Sequence, residues 1–336
     1  MDITVDLRSD TVTRPTAAMR KAMAEAEVGD DCYGEDPTTH RLEAVFAERV
    51  GVEDAIFVPS GTMANQAALR ALTTPGDLVV AGARQHVVRF EAGAAARNAG
   101  VQFHLVDDDD GTISPEDLTW AIEAGRHHQP APVAVFVENT HLMAGGAIWP
   151  VDRLDAIGAR GLPVHLDGAR LFHAEVASGT AAARFVAPVT TVSCCLSKAL
   201  GAPVGSLLGG PADVLDRARL ARKRLGGAMR QSGILAAAGI VALDEMVDRL
   251  ADDHAAARRL ADAVVERWPS SRLRPEDVTT NIVIFRHDHP TVLLDHLAAH
   301  GVAAGTVAPE TMRFVTHVDV DDAGIDRAVE AIASAP

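Results

Sequence analysis

The chain has 336 residues and a formal net charge of −15, with 48% hydrophobic but only 4% aromatic residues. A negative charge of this size repels phosphate backbones and anionic membrane surfaces, so nucleic acids and lipid bilayers are excluded as expected partners. The length allows one large domain or two of ordinary size. A core of Ala, Val and Leu with few aromatic residues favours helices laid on a parallel sheet.

The number of cysteines and the distribution of apolar residues indicate where in the cell the protein is expected. Cys32, Cys194 and Cys195 are too few and too badly placed for a disulfide framework, and no Cys or His spacing typical of a metal site occurs. We therefore expect no metal, and we expect His127 and His128 to be solvated. No charged-then-apolar leader opens the chain, and no run of about twenty apolar residues occurs, so neither a signal peptide nor a membrane span is predicted. A cytoplasmic location is the resulting prediction.

The first half of the chain predicts one wide sheet. Residues 1–15 are polar but interleaved with β-formers, which indicates an ordered arm. Helical spacing begins at Pro15 and again at Thr38, with an acidic loop between them that holds the only tyrosine, Tyr33. Apolar runs bounded by turn signals then alternate with helical patterns, which is typical of βαβ units. Seven strands are predicted, at residues 55–58, 78–81, 101–106, 133–137, 163–166, 189–196 and 204–208.

Composition changes after Pro211, where the pattern becomes almost wholly helical as far as Trp268. A strand is predicted at residues 279–285, followed by a helix, a strand near 312–315 and a last helix from Asp321. The sequence therefore predicts an α/β fold. We expect a large domain at residues 1–245, which includes the arm, and a smaller α+β domain at residues 246–336.

Lys198 is the residue around which a function can be argued. It lies in a turn of small residues at the end of a β-branched run, and the 31 Lys and Arg residues of the chain include only three lysines. An arginine stays protonated and cannot condense with a carbonyl, whereas a lysine amine in apolar surroundings can. This placement indicates Schiff-base chemistry, and the alternative is a lysine on a surface turn.

Two further features could hold one cofactor together with Lys198. Asp167 ends a buried strand, where parallel sheets form their ligand crevice, and a carboxylate there can keep a pyridinium nitrogen protonated. Ser60, Gly61 and Thr62 lie between a strand and a helix start, which can bind a phosphate. Taken alone, the first feature is also typical of a turn and the second of an ordinary helix cap. Their order along the chain favours pyridoxal 5'-phosphate (PLP).

Histidines and arginines complete the candidate site. His86 could stack on a cofactor or act as a base, or it could be structural, and His141 follows another strand end at the same edge of the sheet. Arg313 lies on a strand of the smaller domain with apolar neighbours. A guanidinium there is a natural partner for a substrate carboxylate, a role for which Arg170 competes, although either could instead pair with an acidic group.

With these residues assembled, the chain resembles the low-specificity L-threonine aldolases, PLP enzymes of fold type I that are grouped with the β-eliminating lyases. The resemblance extends nearly from end to end. It is carried by residues 6–13, 28–31, 33–37, 57–62, 138–141, 166–172, 196–198, 201–206, 226 and 229–231.

The resemblance implies a role for each candidate residue. Lys198 would form the Schiff base, Asp167 would meet the pyridine nitrogen, and His86 would stack on the ring. The implied phosphate ligands are Gly61, Thr62 and the partner subunit's Arg230, and the implied carboxylate ligands are Ser9, Arg170 and Arg313. Members of the family are homotetramers with sites between subunits, so Tyr33 is expected to line a neighbour's pocket.

The implied reaction is the retro-aldol cleavage of a β-hydroxy-α-amino acid, such as L-threonine or L-allo-threonine, to glycine and an aldehyde. Two alternatives stay open: a PLP-dependent lyase that eliminates a β-substituent, and a catalytically silent subunit with the same fold. The family usually has asparagine after the histidine of this motif, but here Leu142 and Met143 follow His141. We expect the more apolar rim to favour bulkier side chains.

Overall fold

The computed structural model describes residues 3–124, 128 and 130–336. The first two residues of the predicted arm and His127 lie outside the described residues. The strands are β1 (Val5–Asp6), β2 (Asp54–Val58), β3 (Leu78–Gly82), β4 (Gln102–Val106), β5 (Pro132–Glu138), β6 (Val164–Asp167), β7 (Thr191–Cys195), β8 (Ser206–Gly210), β9 (Ile282–Arg286), β10 (Val302–Ala303), β11 (Gly305–Ala308) and β12 (Thr311–Val315).

A seven-stranded sheet forms the centre of the molecule, in the order β2-β8-β7-β6-β5-β3-β4. Neighbouring strands from β7 to β4 are parallel, whereas β8 runs antiparallel to both β2 and β7. The carboxyl ends of every strand except β8 therefore lie at one edge. The prediction of an α/β fold with a mostly parallel seven-stranded sheet is confirmed.

The strand β8 begins two residues later than its apolar pattern predicts. Gly205 has a φ of +110°, and a Cβ added to it would lie 2.3 Å from the ring of Phe57, so the chain turns tightly there before the strand starts. The strand then continues through Gly209 and Gly210, which lack the side chains on which a strand prediction depends. A Cβ on Gly210 would lie 2.9 Å from the carbonyl oxygen of Thr190, so the end of β8 packs closely against the residue that precedes β7.

Helices cover both faces of the sheet, and apolar side chains from each layer form the core. The helix that matters most for the site, α3, follows β2 directly. The helices are α1 (Ala17–Glu25), α2 (Pro37–Val50), α3 (Gly61–Leu72), α4 (His86–Arg89), α5 (Pro115–Ala124), α6 (Val151–Gly158), α7 (Leu171–Ser178), α8 (Ala182–Val186), α9 (Ala212–Arg224), α10 (Gly233–Glu245), α11 (Leu250–Arg267), α12 (Pro290–Ala299) and α13 (Asp322–Ala333).

The C-terminal part has its own antiparallel sheet, β11-β12-β9, and its own hydrophobic cluster with α11, α12 and α13. The N-terminal arm packs on this part: β1 pairs with β10, and Val5 and Leu7 are buried in the C-terminal cluster. The arm thus packs on the C-terminal part, and α1, which follows it in the chain, packs on the central part. Within the described residues, none of the helices has the length and apolar character needed to cross a bilayer.

Candidate active site

Lys198 lies in the turn after β7, at the edge where the parallel strands end. Its carbonyl oxygen accepts hydrogen bonds from the Thr13 hydroxyl, at 2.8 Å, and from the Gly201 N–H, also at 2.8 Å. Its half-buried side chain lines a cavity together with Asp167, His86 and Arg170. The fold therefore brings together residues that are distant in sequence, and it places an amine at their centre.

Asp167 ends β6 and is only 5% exposed. One carboxylate oxygen, Oδ1, accepts a hydrogen bond from the Ala169 N–H at 3.1 Å, and the other, Oδ2, accepts one from Asn65 Nδ2 at 2.7 Å. Burial by itself would raise the pKa of Asp167, but the charges of His86 and Lys198 outweigh it and hold the pKa below its usual value. Asp167 is therefore a carboxylate that can pair with a cationic ring nitrogen.

The turn between β2 and α3 offers hydrogen-bond donors to an anion. Ser60 caps α3 by accepting a hydrogen bond from the Met63 N–H at 3.2 Å, while the N–H groups of Gly61 and Thr62 have no acceptor among the described residues. A Cβ on Gly61 would lie 2.7 Å from Cys195 Sγ, so glycine is needed there. That Cβ position is 3.7 Å from Ser206 Oγ, a buried hydroxyl with no hydrogen-bond partner in the described chain.

The unpartnered, buried hydroxyl of Ser206 and the two free N–H groups fit a bound phosphate, because phosphate oxygens accept hydrogen bonds from both kinds of donor. The two N–H groups follow the carboxyl end of β2, and the hydroxyl belongs to the first residue of β8. The two strands are paired there through Val58 and Ser206. Cys195, the last residue of β7, pairs with Ser206 on its other side. The phosphate turn and the lysine turn thus leave the sheet as close neighbours.

Arg170 lines the same cavity, and Arg313 places a second positive charge near Arg170. Arg170 is 7% exposed, and its Nε and Nη2 both donate to the Asp10 carboxylate at 2.7 Å. Arg313 donates through Nη2 to the Arg8 carbonyl oxygen at 2.8 Å, but its buried Nε has no partner within the part of the chain that the structure describes. Burial and the neighbouring charge of Arg170 lower the pKa of Arg313. Asp10 neutralises one of the two arginines, Arg170. The positive charge of Arg313 therefore remains available to a carboxylate ligand.

The two candidate histidines differ in what they offer to a ligand. His86 lines the cavity, with Nδ1 3.0 Å from Glu91 Oε1, while its backbone N–H donates to Glu138 Oε2 at 2.6 Å. Burial alone would lower the pKa of His86, but the hydrogen bond to Glu91 and the charge of Asp167 raise it overall. Its Nε2 has no hydrogen-bond partner among the described residues.

His141 is fully buried, and both of its ring nitrogens are engaged. Nδ1 accepts a hydrogen bond from the Ala144 N–H at 3.2 Å, so Nε2 carries the proton that is shared with Asp108 Oδ2 at 2.9 Å. The residue that follows, Leu142, lines the cavity instead. Of the two histidines, His86 is the one that lines the cavity and has a ring nitrogen without a partner among the described residues.

Three candidate residues do not line the cavity around Lys198. Ser9 begins a short turn in the arm, and its hydroxyl accepts hydrogen bonds from the Thr11 N–H at 3.2 Å and from Thr11 Oγ1 at 3.0 Å. Tyr33 is 78% exposed and lines a separate groove of about 820 Å³. Arg230 is largely exposed and pairs with Asp30 at 3.3 Å. Neither Tyr33 nor Arg230 lines the cavity around Lys198.

Comparisons with known proteins agree with this geometry. A family model described as beta-eliminating lyase matches residues 6–288. A probable low-specificity L-threonine aldolase 2 from Arabidopsis thaliana is 44% identical over 288 residues, which cover 83% of this chain and 81% of that protein. The low specificity L-threonine aldolase of Escherichia coli strain K12 is 40% identical over 321 residues, 94% of each chain. The chain belongs to the β-eliminating lyase family, in its low-specificity L-threonine aldolase group.

The fold of this family member is also that of a solved threonine aldolase. The Leishmania major enzyme matches it with a TM-score of 0.83 and 23% sequence identity, and the match covers 98% of both chains. At that identity the likeness supports the fold alone.

Several polar residues of this family member contact the candidate site but were not singled out by sequence reasoning. Asp10 lies within residues 6–13, among charged and turn-forming neighbours. Nothing in that stretch indicates that Asp10 pairs with Arg170. Asn65 and Glu91 lie among alanines, and Glu138 ends a strand. The one available signal was polarity within an apolar stretch, since buried polar side chains need partners.

The Asp10–Arg170 ion pair yields a stability prediction. Replacing Asp10 by asparagine (Asp10→Asn) leaves the buried guanidinium of Arg170 without its counter-charge, so we expect the free energy of unfolding to fall by about 3–5 kcal/mol at pH 7. Charge interactions with Arg170 overcome burial and lower the pKa of Asp10, so its stabilisation is present above the unfolded pKa of about 3.9 and is lost as the pH falls. Urea denaturation should therefore show the difference narrowing below about pH 4.

Asp6→Asn is the matched control, because Asp6 pairs with the exposed Arg8. An exposed pair contributes about 1 kcal/mol or less, so the control should stay close to the unchanged protein. Equal losses for the two variants would contradict the stabilising role of the buried pair.

Proposed function

We propose that this protein is a PLP-dependent aldolase that cleaves L-threonine, L-allo-threonine or a related β-hydroxy-α-amino acid to glycine and an aldehyde. The observation that carries the proposal is the single cavity onto which Lys198, Asp167, His86 and Arg170 converge. The relatives named as L-threonine aldolases, at 40% and 44% identity over most of the chain, support the same reaction.

The cofactor is PLP, and the donor groups of the site suit each of its parts. The free N–H groups of Gly61 and Thr62 would hold the phosphate, Asp167 would pair with the ring nitrogen, and Lys198 would bind the aldehyde carbon covalently. When bound, PLP supplies a sink for the electrons left at the substrate Cα when the Cα–Cβ bond breaks.

The arginines orient the amino acid. Arg313 has a buried Nε without a partner in the described chain, so a substrate carboxylate would satisfy it, with Arg170 held in place beside it by Asp10. A carboxylate fixed at this point restricts rotation of the substrate about its Cα. Orientation of the bond to be broken is a large part of the rate enhancement in reactions of this type.

Proton transfer from the β-hydroxyl falls to His86 or to a water that His86 holds. Glu91 accepts a hydrogen bond from the Nδ1 side, which leaves Nε2 toward the cavity as the acceptor when the ring is neutral. His141 has both nitrogens engaged, so its role in the proposal is to fix the loop that carries Leu142.

The substrate side chain meets an apolar wall. Leu142 lines the cavity and packs on Ile282, Val315 and Ile284 of the C-terminal sheet. A hydrophobic wall contributes more binding energy to a large apolar side chain than to a methyl group. We therefore propose that β-hydroxy amino acids with bulkier side chains, such as phenylserine, are preferred to threonine.

We also propose that the active form is a homotetramer built from tight dimers, in which the partner subunit's Arg230 completes the phosphate site and the partner subunit's Tyr33 closes the pocket. The exposure of both residues in one chain supports this assignment, as does the groove that Tyr33 lines. A cytoplasmic location is proposed as well. The three unpaired cysteines support it, since two of them are buried thiols.

Product analysis tests the reaction. The purified protein with PLP should release glycine and the matching aldehyde from L-threonine, L-allo-threonine or phenylserine, and Lys198→Ala should reduce the rate at least a thousandfold, as loss of a covalent catalyst does. The family model's description favours β-elimination as a second candidate, which would give pyruvate and ammonia from a β-substituted amino acid. Absence of aldehyde from all three substrates would rule out the aldolase.

Covalent labelling tests the lysine independently of turnover. The chain offers only Lys21, Lys198 and Lys223, so borohydride reduction of the PLP-loaded protein followed by peptide mapping has three possible outcomes at lysine. We expect the pyridoxyl label on Lys198 alone, because it is the lysine that faces the cavity. A label on either of the other two lysines would refute the assignment.

Substitution of Leu142 by asparagine tests the proposed wall. We expect the ratio of kcat/KM for phenylserine to that for threonine to fall about tenfold, because a polar amide weakens apolar contact with the larger side chain. Met143→Asn is the matched control, since Met143 is the next residue but does not line the cavity. An unchanged ratio in Leu142→Asn, or the same change in both variants, would contradict the proposal.

A further inference from the structure

A single side-chain amide separates two buried carboxylates behind the cavity. Asn65, on α3, is 1% exposed. Its Nδ2 donates one hydrogen bond to Glu91 Oε1 at 2.8 Å and another to Asp167 Oδ2 at 2.7 Å. Both hydrogens of the amide group are therefore used, one on each carboxylate.

The orientation of this amide is fixed by what lies at its other end. Asn65 Oδ1 accepts hydrogen bonds from His165 Nε2 at 3.0 Å and from Ser193 Oγ at 3.2 Å. Because an amide oxygen can only accept, His165 Nε2 carries the proton, and Nδ1 accepts a hydrogen bond from the Thr191 hydroxyl at 2.9 Å. Burial lowers the pKa of His165 to about 4, so this imidazole is neutral at pH 7. The chain of donors therefore runs from Thr191 to the carboxylates without carrying a charge.

The two carboxylates depend on this amide to different degrees. Glu91 has further partners, because Gln66 Nε2 donates to its Oε2 at 2.7 Å and His86 lies against its Oε1. For Asp167 Oδ2, Asn65 is the one hydrogen-bond donor among the described residues. Two buried carboxylates at one site resist joint ionisation unless donors or cations lie between them. Loss of the amide would thus affect Asp167 most.

We propose that Asn65 is a positioning residue that keeps Asp167 ionised next to Glu91 and thereby sets the affinity for PLP. The inference rests on the proposed pairing of Asp167 with the PLP ring nitrogen. It concerns the binding of the cofactor and not the cleavage step.

The direction of the pH dependence follows from the charges around Asp167. The titratable groups that face it are His86, Lys198, His165, Glu138, Glu91 and Cys194. The hydrogen bond from Asn65 holds the pKa of Asp167 down against burial, together with the charges of His86 and Lys198, so its loss raises that pKa. A protonated Asp167 cannot pair with the ring nitrogen, so the affinity for PLP should fall as the pH falls and recover as it rises.

Asn65→Leu removes the donor at nearly constant volume, and Gln66→Leu is its matched control. Gln66 is the adjacent residue, is 2% exposed and donates to the same Glu91, but it makes no hydrogen bond to Asp167. Each full-length variant would be stripped of PLP and titrated with it between pH 5 and 9, with the dissociation constant followed by visible absorbance. Thermal melting would confirm folding, and Asn65→Asp, which keeps the shape but offers an acceptor, would replace a variant that does not fold.

We expect the dissociation constant of Asn65→Leu, or of Asn65→Asp, to exceed the unchanged protein's value at least tenfold at pH 5 and to approach that value toward pH 9. Below the raised pKa of Asp167, each unit by which that pKa has risen lowers the ionised fraction, and with it the affinity for PLP, about tenfold. Gln66→Leu should change less than threefold at every pH. A change in Asn65→Leu that does not vary with pH, or that equals the control's, would overturn the inference. Failure of the unchanged protein to bind PLP would instead refute the proposed function.

Discussion

A buried ion pair between Asp10 and Arg170 holds together the parts of the molecule that surround the cavity. Asp10 belongs to the N-terminal arm, Arg170 follows β6 of the central sheet, and Asn281, just before β9, donates to the same carboxylate at 3.2 Å. The pair therefore joins the arm, the central sheet and the C-terminal sheet at one point. Separating them would leave a charge uncompensated in a buried place, so the three parts are coupled by electrostatics as well as by packing.

This coupling explains how residues from distant parts of the chain can serve one site. Arg313 comes from the C-terminal sheet and donates to the Arg8 carbonyl of the arm, while Lys198 comes from the central sheet and its carbonyl accepts from Thr13. The arm thus lies between the two cations and contacts both. Although the chain has a net charge of −15, the cavity holds the cations Lys198 and Arg170 next to the carboxylates Asp167 and Glu138, so it offers partners to both anionic and cationic groups of a ligand.

Much of the site could be predicted because parallel sheets have one ligand-binding edge. Asp167 and Lys198 each follow an apolar run, and strands of that kind end together, so their sequence positions already imply that they are close. The same reasoning placed His141 at this edge, where it does lie, but sequence spacing carries no information on which way a ring points. Its burial and its bonds to Asp108 and Ala144 depend on how the following turn folds back.

The sequence by itself determined the class of fold, the order of the strands along the chain and the family, because apolar periodicity and short motifs are local properties. Only the tertiary structure decided which buried polar groups are partners. In the sequence, Asn65 is one of several polar residues in an alanine-rich helix. Its hydrogen bond to Asp167 forms because α3 packs against β6 and β7. A hydrogen bond between residues a hundred positions apart is set by the packing of whole elements, and local sequence does not encode that packing.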